Sequence, residues 1–336
     1  MSEAPSPSPH PAPAAPGRAG LALALVGVAL GVGPAVLAYL SRFGPTPTER
    51  LPQLAVALYG LLFVGALVDL CAGLPRRRAG RRLGAVVGLA LAAAAATALS
   101  PWGEWRYLLA PAAALAGGAA LLAGRGPRRG LYAAGAVYLS ATLLANFTLD
   151  AFLPLGGFFL VNVGTLFFGV TFTQRDRVHR YGRRAVYGTI LTAAVANVLL
   201  AAALGTPRRF VLVSFLTIVL AEAADTEVYQ RLLSRRWLVR VASSNAVSAP
   251  LDTVLFTLLA FWGQPYATPG WMAQVIVTDV LVKYAAGIVA ALGMLALLRS
   301  VWPQARLGAA LDPGAPPGGA DTLAPAPADG RPGGDP

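Results

Sequence analysis

Lysine is almost absent from this chain: of 27 basic residues, only Lys283 is a lysine and the rest are arginine. Arg-for-Lys bias is what a GC-rich genome produces, so the scarcity alone says little, but the place of the one lysine says more. Lys283 sits inside the apolar run 274–294. A charge at bilayer depth costs about 2.5–3.5 kcal/mol on insertion scales, so it persists where it meets a polar cavity or a partner. Asp279, four residues earlier, shares its helical face, and either it or Asp252 is expected to neutralise the lysine. Cysteine is as scarce. A lone Cys71 excludes an intrachain disulfide and any multi-cysteine metal site, and in its apolar run it reads as a small buried hydrophobe. The two histidines are His10, near the N-terminus, and His179, in an arginine-rich stretch. No HExxH, P-loop or nucleophile elbow is present, so no enzyme constellation, metal or cofactor is expected, and the chain cannot by itself be an ATP-driven pump. Charge is thin overall, at 12% of residues, where soluble domains carry about 25%.

What the chain has is apolar length. It is 56% hydrophobic, with a mean hydropathy of +0.61. Its apolar runs of about 20 residues are long enough to cross about 30 Å of hydrocarbon. The fold class expected is all-α, a polytopic helical membrane protein of about ten transmembrane helices. These fall near 20–41, 52–74, 83–100, 107–124, 130–148, 155–174, 185–205, 209–231, 243–262 and 272–299. Pro/Ala-rich residues 1–18 and Pro/Gly-rich residues 303–336 read as disordered tails, and the first is not a signal peptide. Between them lie a four-helix N-terminal region (19–125) and a six-helix region (130–300).

Arginine placement supports this order. Alternate loops carry Arg76, Arg77, Arg78, Arg81 and Arg82, then Arg125, Arg128 and Arg129. The next two hold Arg175, Arg177, Arg180, Arg183 and Arg184, and Arg231, Arg235, Arg236 and Arg240. The intervening loops hold few: Arg42 and Arg50, Arg106, and Arg208 and Arg209. Arginine-rich short loops are cytoplasmic, which puts both termini inside a cell membrane. The net charge of +12 thus reads as a topology signal, with the lipid bilayer and not nucleic acid as the partner. Trp102, Trp105, Tyr107, Trp237, Trp262, Tyr266, Trp271 and Trp302 read as headgroup-level anchors.

Polar residues concentrate in the last six spans. The first four hold little beyond Asp69, a structural partner for the arginines of 76–82, and the small-xxx-small pair Gly27 and Gly31, a helix-contact spacing. Later spans contribute Asn146, Asp150, Asn162, Ser214, Glu222, Asp225, Glu227, Tyr229, Ser243, Ser244, Asn245, Ser248, Asp252, Asp279 and Lys283. Glu222, Asp225 and Tyr229 share one stripe, whereas Glu227 sits near the inner interface and reads as a partner of Arg231. Pro250 cannot donate to the carbonyl of Ala246, so a kink or opening is expected there, two residues before Asp252. A broken helix beside a buried carboxylate is how transporters build midplane sites.

Three segments taken together, Ser214 to Tyr229, Ser243 to Trp262 and Asp279 to Lys283, resemble the VUT group, also called the queuosine-precursor transporter family. The likeness covers roughly residues 130–300. The resemblance implies a six-span inner-membrane transporter of 7-deazaguanines such as 7-cyano-7-deazaguanine (preQ0) and its aminomethyl relative (preQ1). On it, Glu222, Asp225, Asn245, Asp252 and Lys283, with Asp279, are substrate-binding candidates. The family's Asp ahead of a loop leading to Gly is met one residue short here, at Asp176 before Gly182. A deazaguanine offers N1–H and an amine side by side, an edge that a carboxylate accepts in bidentate fashion, while Asn245, a serine or Lys283 can donate to its carbonyl. Buried acids are also candidate proton carriers. Transport of another vitamin or heterocycle, or a non-transporting scaffold or substrate-capture subunit, are the alternative readings.

Overall fold

The computed structural model describes residues 16–41, 53–101, 103–124, 128–149, 151–203 and 205–301. The readings made of residues 1–15 and 303–336, and of Arg42, Arg50, Trp102, Arg125, Asp150 and Trp302, lie outside these. The N-terminal region comprises α1 (Pro16–Leu40), α2 (Gln53–Leu61), α3 (Val64–Cys71), α4 (Arg76–Ala98) and, after a 3-10 turn over Trp105–Leu108, α5 (Leu109–Ala123). Thus α1 begins three residues inside the expected tail, with proline at its first position, where the missing N–H costs nothing. A Cβ on Gly31 would stand 2.4 Å from the carbonyl oxygen of Ala90, so that glycine lets α1 and α4 touch backbone to backbone.

The remainder comprises α6 (Arg129–Phe147), a short antiparallel hairpin of β1 (Phe152–Pro154) and β2 (Leu160–Asn162), then α7 (Phe168–His179) behind a 3-10 helix over Val163–Phe167. Next come α8 (Arg183–Ala203), α9 (Arg208–Arg231), α10 (Trp237–Phe261) and α11 (Pro269–Val301). One apolar core joins the two regions, with Leu30, Val56, Leu67 and Val86 packed with Ala141 and Leu144 of α6.

Among the described residues, eight helices are long and apolar enough to cross a membrane, so the chain is an all-α polytopic membrane protein, but the count of ten apolar spans is not what the structure shows. The sixth expected span, 155–174, is not one helix. Gly156 and Gly157 take positive φ values of 88° and 56° and turn the chain into the hairpin. From the hairpin to the end of α7, the chain runs the length of α6. The Asn162 side chain reaches the carbonyl of Leu149, just past the end of α6, while Arg180 and Tyr181 crowd Gly130 near its start. The eighth, α9, is a continuous helix whose acids make it too polar for a purely apolar span. Pro250 does not break α10, which runs unbroken from Trp237 to Phe261. Of the aromatics read as anchors, Trp105, Trp262 and Tyr266 are exposed, but Tyr107 is buried and Trp271 packs edge-on against Phe152 and Phe261.

Candidate functional site

The polar residues of α6, α7, α9, α10 and α11 converge in two ion-pair groups side by side. The first is organised by Arg175, which the arginine-rich segment had placed in a loop. It lies instead on the third turn of α7, with 1% of its surface exposed. Its Nη1 donates to Glu222 Oε2 at 2.6 Å, and its Nη2 stands 2.8 Å from Asp225 Oδ2 and donates to Asn245 Oδ1 at 3.4 Å. The guanidinium also lies 5.2 Å from the ring centre of Phe172. Asp225 takes a further hydrogen bond from Ser248 Oγ at 2.8 Å. The planar fork of arginine suits this task, since it can hold two carboxylates in fixed directions at once. Close packing of α7 against α11 helps to set it. A Cβ on Gly169 would meet the carbonyl oxygen of Ala286 at 2.4 Å.

The second group is centred on Lys283. Its Nζ donates to Asp252 Oδ2 at 2.6 Å and to Thr253 Oγ1 at 2.9 Å, and stands 4.1 Å from the centre of the Phe168 ring. Of the two acids expected as its partner, Lys283 is therefore paired with Asp252 and not with Asp279. Asp279 instead accepts from the backbone N–H of Asn162 at 3.1 Å, and Thr278 accepts from that of Leu160 at 3.2 Å. The hairpin is thereby pinned to α11 by side chains that satisfy its open strand edge.

Between the two groups and the hairpin lies a cavity of about 80 Å³. At roughly 10–15 Å³ per water, it holds a cluster of several waters or one small heterocycle. Of the six candidates, Glu222, Asp252, Asp279 and Lys283 line it, together with Asn146, Asn162, Ser214 and the Phe168 and Phe256 rings. Asp225 and Asn245 do not. Both stand behind the wall, on Arg175. Ser214 Oγ donates to Asn146 Oδ1 at 2.9 Å, joining α9 to the end of α6. At the hairpin end Phe261 has Phe152, Phe210, Phe256 and Trp271 edge-on around it and forms part of the cavity wall.

Several expectations change. Asp69 pairs not with the arginines of 76–82 but with Arg177 of α7, through two hydrogen bonds of 2.5 and 2.8 Å. Glu227 pairs with Arg183 and accepts from Tyr187 Oη at 2.7 Å, rather than holding Arg231. His179 is the last residue of α7 and not a loop residue. It is buried and stacked on Tyr229, with centroids 4.1 Å apart. Asp176 is also buried, on the inner face of α7. Asp176, His179 and Asp225 each place one potential ligand atom within 4.8 Å of the other two. Arg175 is the member of this arrangement that sequence reasoning missed, and a signal for it existed. Glu222, Asp225 and Asp252 are three buried acids with one lysine among them, and buried charges demand partners.

Comparison with known proteins bears on the same helices. Residues 162–297 match the family described as “Putative vitamin uptake transporter”. That stretch is a vitamin uptake transporter match. It covers less than half of the chain, beginning at the end of the hairpin and taking in α7 to α11, and so holds all six candidate residues as well as Arg175. It is the family that the sequence resembles. The apolar helices make this a multi-pass membrane protein, and the match likens residues 162–297 of it to a transporter of a vitamin-like small molecule. No curated protein and no solved structure matches the chain.

Proposed function

We propose that the protein imports a 7-deazaguanine queuosine precursor, such as 7-cyano-7-deazaguanine or its aminomethyl relative, by secondary or facilitated transport through the cavity beneath the hairpin. The observation that carries this reading is the chemistry of one wall. The carboxylates of Glu222, Asp252 and Asp279 and the ammonium of Lys283 line a single small cavity with aromatic sides. A carboxylate accepts the paired N1–H and amine of the ligand, Lys283 or an amide donates to its carbonyl, and Phe168 and Phe256 cover the ring faces. The arginine-rich loops support a cell-membrane protein with both termini in the cytoplasm. The hairpin and the cavity then lie toward the outside, and the Arg175 group closes the path inward.

Asp252→Asn tests the site, because it keeps the shape and removes the charge. In a transport-deficient strain, compared at equal amounts of folded protein in the membrane, the variant is expected to leave tRNA without queuosine. Full restoration would remove Asp252 from the site, and a scaffold would also pass this test unharmed. The family description favours a second reading, another vitamin or heterocycle. Competition separates the two, since guanine analogues compete under the first and vitamins under the second. Proton coupling belongs to the same reading, and uptake into vesicles that ignores collapse of the pH gradient excludes it.

A further inference from the structure

Asp176 is 5% exposed, and neither of its carboxylate oxygens has a hydrogen-bond partner among the described residues. Three residues on, one helical turn away, His179 is 4% exposed and its Nε2 has none either. Gln230 Nε2 lies 2.9 Å from the other ring nitrogen, Nδ1. An amide N–H donating there makes Nδ1 the acceptor and leaves the proton on Nε2. Unpaired buried groups of this kind are costly, and two of them with potential ligand atoms within 4.8 Å of one another mark a place for a bound species.

Charge decides which species. Facing Asp176 are Arg175 on its own helix, Glu222, Asp225 and Tyr229 from α9, and Arg240 from α10, with Tyr138 of α6 beside Arg175. On α8, Arg183 and Tyr187 are turned to Glu227, and Lys283 of α11 is held by Asp252. Three carboxylates thus meet two guanidinium groups, leaving one negative charge in a buried cluster. A divalent metal would overshoot to a net positive charge beside two arginines. A sodium ion would take an imidazole nitrogen as a poor ligand, since hard cations prefer oxygen. One proton balances the cluster.

We propose that Asp176 and His179 form a proton-binding site on the arginine-rich side of the Arg175 group, which loads one proton onto the Asp176 carboxylate and exchanges it through His179 at the end of α7. The site rests on the transporter reading for its purpose but not for its existence. Arg175 is shared between it and Glu222, which lines the cavity, so ligand at Glu222 and a proton at Asp176 each change the other's affinity by the same factor.

The test needs no substrate. Infrared difference spectra of the purified protein in lipid, acid minus alkaline, are expected to show a carboxylic acid C=O band. Asp176→Asn removes that band, and His179→Gln shifts its titration midpoint by at least one pH unit. Spectra in which Asp176→Asn leaves every carboxylic acid band in place overturn the proposal. So does stoichiometric Zn2+ uptake by chelator-treated protein that Asp176→Asn abolishes, because the site is then a metal site. Uptake assays are read separately. If Asp176→Asn passes the spectroscopic test while no deazaguanine is transported by the unaltered protein, the substrate reading fails and the proton site stands.

Discussion

At the residue scale, the site is a problem of charge pairing. Lys283 and Asp252 are both buried and 2.6 Å apart, so removing either strands the other. Loss of one partner of a buried pair costs about 3–5 kcal/mol, and much of that is the uncompensated charge. Lys283→Ala is therefore expected to lower the melting temperature in detergent, and Lys283→Ala with Asp252→Ala to recover most of the loss. Lys283→Ala with Asp279→Ala should recover little, because Asp279 holds the hairpin through the Asn162 N–H. Equal recovery by both double variants would mean that the pairing is not fixed. Arg175→Lys is predicted to impair uptake at least tenfold, since a point charge cannot hold Glu222 and Asp225 in the directions that the guanidinium fork does. Uptake within twofold of the unaltered protein would show that the fork is dispensable. That Glu222, Asp225, Asp252 and Asp279 are buried acids was legible in the sequence, whereas Asp176, in a segment read as a loop, was not. Their partners were legible only in part, Asp252 being one of two acids offered to Lys283, because a partner's identity depends on how helices rotate against one another, and a run such as Arg175, Arg177 and Arg180 looks the same as a loop or as a helix.

At the element scale, the least legible segment was 155–174. Its apolar content is that of a membrane span, but the Gly156-Gly157 turn spends the first half on a hairpin and leaves only α7 as an α-helix. A hairpin edge carries open N–H groups that apolar side chains cannot satisfy. Asp279 and Thr278 of α11 accept two of them. This gives α11's polar residues a fold-keeping role that spacing along one helix could not reveal. Helix-to-helix contact was partly legible, as Gly27 and Gly31 show, whereas the contact at Gly169 carried no spacing signal. Gly169→Val is expected to push α7 from α11, lowering the amount of folded protein in the membrane, while Gly188→Ala, at a position with open space around it, should not. Blue-native electrophoresis of solubilised membranes reads the difference. Normal yield of Gly169→Val would show that the two helices can part without loss. The unbroken α10 has a simple account, since a proline removes one hydrogen bond and neighbouring helices can hold the rest.

At the scale of the whole molecule, the first five helices and the last six share one apolar core and one buried ion pair, Asp69 with Arg177. The sequence showed the first group as a scaffold without chemistry, and Asp69, read as a partner for the arginines of 76–82 within that group, gave no sign of the link. Asp69→Asn is predicted to reduce uptake several-fold without touching the cavity, by loosening the helix that carries Arg175 two residues before Arg177. Measured uptake per folded molecule checks this. No change would show that the apolar core alone holds α7 in place.

The pairing of Asp69 with Arg177 also bears on how such a chain can be shortened or lengthened. Residues 129–301 taken alone would keep Arg177 on the outer side of α7 with no carboxylate opposite, facing lipid. In this chain the preceding helices are no removable prefix, because α7 bears one arginine for each side of the boundary and holds the two parts together like a rivet.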